Sequence, residues 1–296
     1  MTRFLIHKQQ LLIALLVLFA ILATPITAIA KNPLVITRTG TTPAGFSRVF
    51  SKQVEVFKVP VFATSTTPDD KLLHAASVLA QYLDNDADGM ADNHLVLRSL
   101  QERRGAMIMF SSEREAMRVD IHRHITERVW DRMILVALFA EETRPNGSNK
   151  GLFDATYEEV LHLITSAGYA YAYPQVFGER SGTQIANAMD QARGGHFPKV
   201  PRAYPATAWY TYYDRTCDYR CQITEYIYWG ITSLLGAQQF PGRYQQISNE
   251  WRLNTAAKLK QGDSALYALL SDPKYAFPTT LPDGNYEPRQ VHRPEN

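Results

Sequence analysis

Apolar positions along the chain alternate between two periods. Val54 to Ala63 alternates apolar and polar residues and is rich in β-branched side chains, which predicts a strand; Pro60 places it at a sheet edge or breaks it in two. Gly105–Phe110 and Met133–Ala140 are short unbroken apolar runs, the pattern of buried strands. Elsewhere the spacing is three to four. Leu72, Leu73, Ala76, Leu79, Ala80 and Leu83 mark one helix, with Thr67 as its cap and Pro68 at its first position. Further helices are predicted over His94–Gln101, Glu113–Val129 behind a Ser112 cap, Asp154–Thr165, Gly182–Ala192, around Glu225, Arg243–Lys260 and Ser264–Leu270. Pro145 to Asn149 reads as a turn, and from Pro278 the chain becomes a Pro-rich extended tail. This order predicts an α+β fold, a mixed sheet packed with several helices.

The first thirty residues stand apart. Arg3 and Lys8 precede an apolar run from Leu11 to Ala23, and Ala28-Ile29-Ala30 offers a small-residue cleavage site. This is the pattern of a secretory signal peptide, and the run falls short of the roughly 20 residues a membrane span needs. The expectation is a single exported domain over residues 31–296, secreted or periplasmic, with no stable membrane association after cleavage. The formal charge of the whole chain is +2, and removing residues 1–30 leaves as many basic as acidic side chains. That balance points away from a nucleic-acid partner. In an oxidising compartment Cys217 and Cys221 are expected to form a local disulfide closing a turn before the helix that holds Glu225.

The most specific motif is Asp84-Asn-Asp86-Ala-Asp88-Gly89-Met90-Ala-Asp92. Carboxylates at loop positions 1, 3, 5 and 9, a glycine at 6 and the Met90 carbonyl at 7 follow the opening of an EF-hand calcium loop. Leu95 occupies position 12 in place of the bidentate Glu, so the loop resembles the shortened calcium loops of dockerin or thrombospondin repeats. A single such loop in an exported protein implies a structural brace. The alternative is an acidic surface loop. The stretch from Leu73 to Gly89 also resembles a family of secreted proteins to which no activity attaches.

The helix around Asp154–Thr165 carries Glu158-Glu159-Val160-Leu161-His162. Glu158 and His162 are i and i+4 and share a face. The run resembles the H-E-x-x-H helix of zincin metallopeptidases with Glu158 in place of the first His. The resemblance implies Glu158 and His162 as metal ligands and Glu159 as the general base. In the gluzincin branch a Glu on a later helix completes the ligand set. Glu225, 63 residues after His162 and set among large apolar side chains, takes that part, with Tyr228 one turn on as a donor to the reaction intermediate. Two carboxylates and one imidazole suit zinc or a harder divalent metal such as manganese or iron.

These residues imply a secreted, calcium-braced metal-dependent hydrolase, with a peptide or protein substrate favoured. Blander readings use the same residues. Thr156 and Glu159 have capping-box spacing, and Glu158–His162 is also an ordinary helical ion pair. A non-enzymatic calcium-binding protein with a buried Glu/His network is the first alternative. A glycoside hydrolase using Glu159 and Glu225, with sugar stacking on the tyrosine-rich run 204–221, is the second.

Overall fold

The computed structural model describes residues 34–38, 42–145, 147 and 151–289. The expected signal peptide, most of the Pro145–Asn149 turn and the last residues of the tail lie outside them. Four strands form one sheet in the order β1 (Lys52–Val56), β2 (Val59–Ala63), β3 (Gly105–Phe110) and β4 (Ile134–Phe139). β1 and β2 are antiparallel, whereas β2, β3 and β4 run parallel, so the sheet is mixed and the fold is α+β.

The expected strand over Val54–Ala63 is a hairpin. It breaks at Phe57-Lys58, where two consecutive residues have positive φ, 48° and 65°. The turn matches the right-handed twist of the flanking strands but favours Asn or Gly. Here a Gln101 side chain donates to the Phe57 carbonyl at 2.9 Å, and the Phe57 ring packs edge-on against Tyr286. Pro60 is not on an edge strand. It sits in interior β2 just before the ladder to β3 begins at Val61, so no N–H is demanded of it on that side.

The sheet residues alternate faces. Val61, Ala63, Met107, Met109 and Leu138 point into the main core. Phe62, Ala106, Ile108 and Phe110 point the other way, where Phe46, Phe50 and Ile125 close a smaller core. That second core explains why the helix expected over Glu113–Val129 is three short pieces, α3 (Glu113–Arg118), α4 (Ile121–His124) and α5 (Glu127–Trp130). The Asp120 carboxylate accepts from Arg123 N–H, starting a new helix mid-run. The break turns Ile125 inward. The run expected over Arg243–Lys260 divides likewise into α10 (Arg243–Ile247) and α11 (Ala256–Gly262). Between them Trp251 reaches the core and donates to Ser233 at 2.8 Å.

On the main face lie α1 (Asp69–Leu83), α2 (His94–Glu102), α6 (Thr156–Leu163), α8 (Gln184–Arg193), α9 (Tyr219–Leu234) and α12 (Ser264–Ser271). A π-helical turn, Ile164–Tyr169, and α7 (Ala170–Ala172) continue α6. β4 leads directly towards α6, which packs on β4, α1 and α9. The tail from Pro278 is extended and closely held. Asn85 hydrogen-bonds to Thr279 and Thr280, Gln81 to Asp283 and Gly284, and Tyr157 donates to the Pro282 carbonyl at 2.9 Å.

A buried pair joins α1 to the start of α6. His74 Nε2 lies 2.7 Å from Asp154 Oδ2, and Asp154 Oδ1 accepts from Arg144 and Thr156 N–H. Burial works against ionisation of Asp154, but His74 and the two N–H donors outweigh it and hold the carboxyl below its ordinary range. Its contribution to stability is therefore present above the unfolded carboxylate pKa of about 4 and is lost as pH falls through the lower folded value. Asp154→Ala removes the acceptor of the Arg144 and Thr156 N–H groups and leaves His74 buried without its partner; it should cost about 2–3 kcal/mol at neutral pH. Denaturant unfolding at pH 7 and pH 3 checks this: the gap between variant and wild type should narrow at the lower pH.

Candidate metal centre

The first turn of α6 is set by Asp154, not by the Thr156–Glu159 capping box. Thr156 Oγ1 has no hydrogen-bond partner, while the Asp154 carboxylate takes the Thr156 N–H. Glu158, Glu159 and His162 are thus free of capping duty. After His162 the helix loosens into the π-helical turn, where Thr165 donates to the Leu161 carbonyl at 2.7 Å. Such turns are frequent at functional sites.

α9 delivers Glu225. Asp218 caps this helix by accepting from Cys221 N–H, and the Cys217–Cys221 disulfide ties the entering chain to the first turn. Cys221 belongs to the helix itself, so the bridge closes the turn into α9. Glu225 lies one turn further on and is buried. Disulfides of this kind belong to oxidising surroundings. No described helix is long and apolar enough to cross a membrane.

Glu158, His162 and Glu225 converge: one ligand atom from each lies within 4.8 Å of the others. His162 Nε2 is 3.5 Å from Glu225 Oε2. That is too long for a hydrogen bond, and this buried nitrogen has no hydrogen-bond partner. Two atoms bound to one tetrahedral zinc at about 2.0–2.1 Å sit about 3.4 Å apart, so the spacing would suit co-ligands as it suits an ion pair. The mixed nitrogen and oxygen set fits a divalent transition metal.

The other predicted residues fall around this group. Glu159 is not among the three that converge; its Oε2 lies 3.5 Å from His162 Nδ1, on the far side of the imidazole from Glu225. Tyr228 is fully buried, packs its ring edge-on at 5.9 Å from His162 and accepts a hydrogen bond from Gln238. Tyr212, half-buried in the tyrosine-rich run, donates to Glu225 Oε1 at 3.1 Å. Sequence reasoning had no means to single out Tyr212 among its neighbours. Glu250 is a further carboxylate close enough to Glu225 for their charges to interact.

The electrostatics follow from crowding. Burial, reinforced by Glu225, pushes the Glu158 carboxyl up to about 8. Burial alone would depress His162, but the charges of Glu225 and Glu159 overcome it and hold the imidazole well above its ordinary value.

The acidic loop after α1 gathers a second group. Ligand atoms of Asp84, Asp86 and Asp88 lie within 4.8 Å of one another. Asp88 and Gly89 N–H donate to Asp84, and Gly89 has the left-handed φ of 86° that the turn needs. The fourth predicted carboxylate, Asp92, is outside this group and accepts instead from Asn85 N–H at 2.8 Å. Tyr286 of the tail donates to Asp84 Oδ2 at 2.5 Å. Burial raises the Asp84 carboxyl against that bond.

No protein-family model, curated protein or solved structure matches the chain. Its function must be argued from the two acidic groups.

Because Glu158 is raised, its proton stabilises the metal-free fold fully below the unfolded carboxylate pKa, and that contribution is lost as pH rises towards about 8. Metal-free protein should therefore lose on the order of a few kcal/mol between pH 5 and 8. Glu158→Gln should flatten that slope in chelator-treated samples followed by thermal denaturation.

Proposed function

We propose that the protein is an exported metal-dependent hydrolase whose divalent ion is held by Glu158, His162 and Glu225. The observation that carries this reading is the convergence of Glu158, His162 and Glu225, one ligand atom of each within 4.8 Å of the others, with Nε2 of His162 facing the Glu225 carboxylate at 3.5 Å without a hydrogen bond.

A bound zinc, manganese or iron ion would supply a water acidic enough to attack a carbonyl near neutral pH. The chain's own residues hold and orient the site. Glu159 lies 3.5 Å from Nδ1 and pairs with the imidazole by charge, on the side away from Glu225. That role differs from general base. Tyr212 holds the Glu225 carboxylate. Peptide bonds remain the favoured substrate class because the Glu158–His162 run resembles a metallopeptidase helix. A glycosidase using Glu159 and Glu225 is disfavoured by the imidazole that stands between them. Export, and a periplasmic or extracellular site of action, are supported by the disulfide.

The Asp84–Asp88 loop is proposed to bind calcium as a brace. Its carboxylates converge, and its residues hold the tail through Asn85, Tyr286 and the Ala87 carbonyl. The competing reading, a non-enzymatic calcium-binding protein, takes Glu158, Glu159, His162 and Glu225 as a buried ionic network.

Elemental analysis of the purified mature protein separates the two. One equivalent of a transition metal is expected in wild type and none in His162→Ala. Calcium alone, in equal amount in both proteins, would favour the structural reading. Asp86→Ala tests the loop. At about 10 mM calcium, a site of the usual extracellular affinity contributes about 1.4–2.7 kcal/mol. The variant should lose that increment, and its melting temperature should no longer respond to chelator.

A further inference from the structure

Arg243, at the start of α10, carries its charge into the core without an acidic partner. The residue is 7% exposed. Its guanidinium has donors on every nitrogen and cannot give up its charge. Among the described residues these donors meet two acceptors, both neutral amides. Nε donates to Gln238 Oε1 at 2.7 Å, and Nη1 to Gln246 Oε1 at 3.4 Å. The guanidinium lies 4.4 Å over the Phe153 ring, with Phe240 and Trp229 at 5.8 and 5.9 Å. Ring faces attract a cation but bring no countercharge. Glu250 is near enough to feel the charge, yet no carboxylate of the described residues makes an ion pair with Arg243. A buried charge left in this state is costly. A cation kept only for stability would have its acidic partner in the fold.

Its position gives the charge a use. Gln238, Phe153 and Phe240, which hold the guanidinium, also line a narrow cleft bounded by Tyr157 of α6 and Tyr228 of α9, so Arg243 borders that cleft. Asp154 is the single carboxylate of the lining, and its oxygens are taken by His74 and by the Arg144 and Thr156 N–H groups. Tyr228 joins the cleft to the metal centre. Its Oη accepts from Gln238 Nε2 at 3.1 Å, and its ring packs edge-on at 5.9 Å from His162. The side chains of Gln238 and Tyr228 thus separate the guanidinium from a metal ligand. A short peptide covers such a span, at about 3.3–3.6 Å per extended residue. The anion that matches a guanidinium fork is a carboxylate, which parallel N–H groups bind side by side. A peptide offers one at its C-terminus or on an acidic side chain.

We propose that Arg243 anchors a carboxylate of the substrate beside the metal centre, so that peptides with an acidic group near the scissile bond are selected. The proposal deepens the metallohydrolase reading and rests on it.

The test uses the full mature protein loaded with cobalt(II) and read by its visible absorption. The probes are short succinyl hydroxamate peptides of graded length. The hydroxamate takes the metal, and the far end is a free carboxylate, a carboxamide, or a carboxamide preceded by glutamate. In wild type an acidic probe should bind about 10–100-fold tighter than its neutral counterpart. The tighter of the two acidic forms shows whether a C-terminus or a side chain is the group recognised. Arg243→Met should level acidic and neutral probes. Arg243→Lys keeps the charge but loses the fork, and should retain part of the preference. Equal binding of acidic and neutral probes by wild type, a result that needs no variant to fold, would overturn the anchor and leave the metal centre standing. So would a preference that persists in Arg243→Met. Wild-type protein that takes up no cobalt would overturn the metal centre and the anchor with it.

Discussion

The structure depends on how it manages negative charge where α6 crosses α9. Glu158 and Glu225 come within 4.8 Å of each other and of His162, with Glu159 and Glu250 close by. Carboxylates this crowded and this removed from water must be neutralised. Three remedies exist: a proton, the imidazolium, or a bound cation. The metal-free chain uses the first two, holding a proton on Glu158 well above the usual carboxylate range and keeping His162 charged. A cation would displace both protons. Metal affinity and proton release are therefore linked here, and the affinity must rise with pH until both ligands are free.

The surrounding fold serves to keep these ligands from moving apart. α6 is fixed at its start by Asp154, which is in turn held by His74 of α1. α9 is fixed by the Asp218 cap and the disulfide one turn before Glu225. Two of these side chains have a neighbour behind them: Glu159 beside His162 and Tyr212 on Glu225. None of these neighbours is required by the apolar packing of α6 and α9, which Val160, Leu161, Ile223 and Ile227 already provide.

Much of this arrangement was visible in the sequence, for identifiable reasons. The i,i+4 placement of Glu158 and His162 is local and survives any tertiary context. The isolation of Glu225 among large apolar residues signalled a buried carboxylate in need of a partner, and α6 supplies one in His162. The strands at Gly105–Phe110 and Met133–Ala140 were legible because unbroken apolar runs leave little choice. What the sequence hid was non-local. The division of 113–129 follows from the demand of a second core for Ile125, and the hairpin at Phe57-Lys58 lacks the usual turn residues because Gln101 and Tyr286 support it from outside. Capping-box spacing at Thr156–Glu159 was misleading. Asp154, two residues earlier, offered the better acceptor.

The two acidic groups differ in what they ask of the fold. Asp86 and Asp88 are exposed, and without an ion their carboxylates can turn into water. The cost of an empty loop is mostly the loosening of Asn85, Asp84 and the tail they hold. Glu158 and Glu225 have no such escape. They project from rigid helices where α6 crosses α9, and the Tyr212 hydrogen bond holds Glu225 in place. A fold that needed only stability would fill this crossing with aliphatic side chains, since replacing a buried charge cluster by apolar residues is often neutral or stabilising. Two carboxylates and a histidine retained at that crossing, where apolar side chains would serve stability as well, are what the proposed cation site requires of the fold.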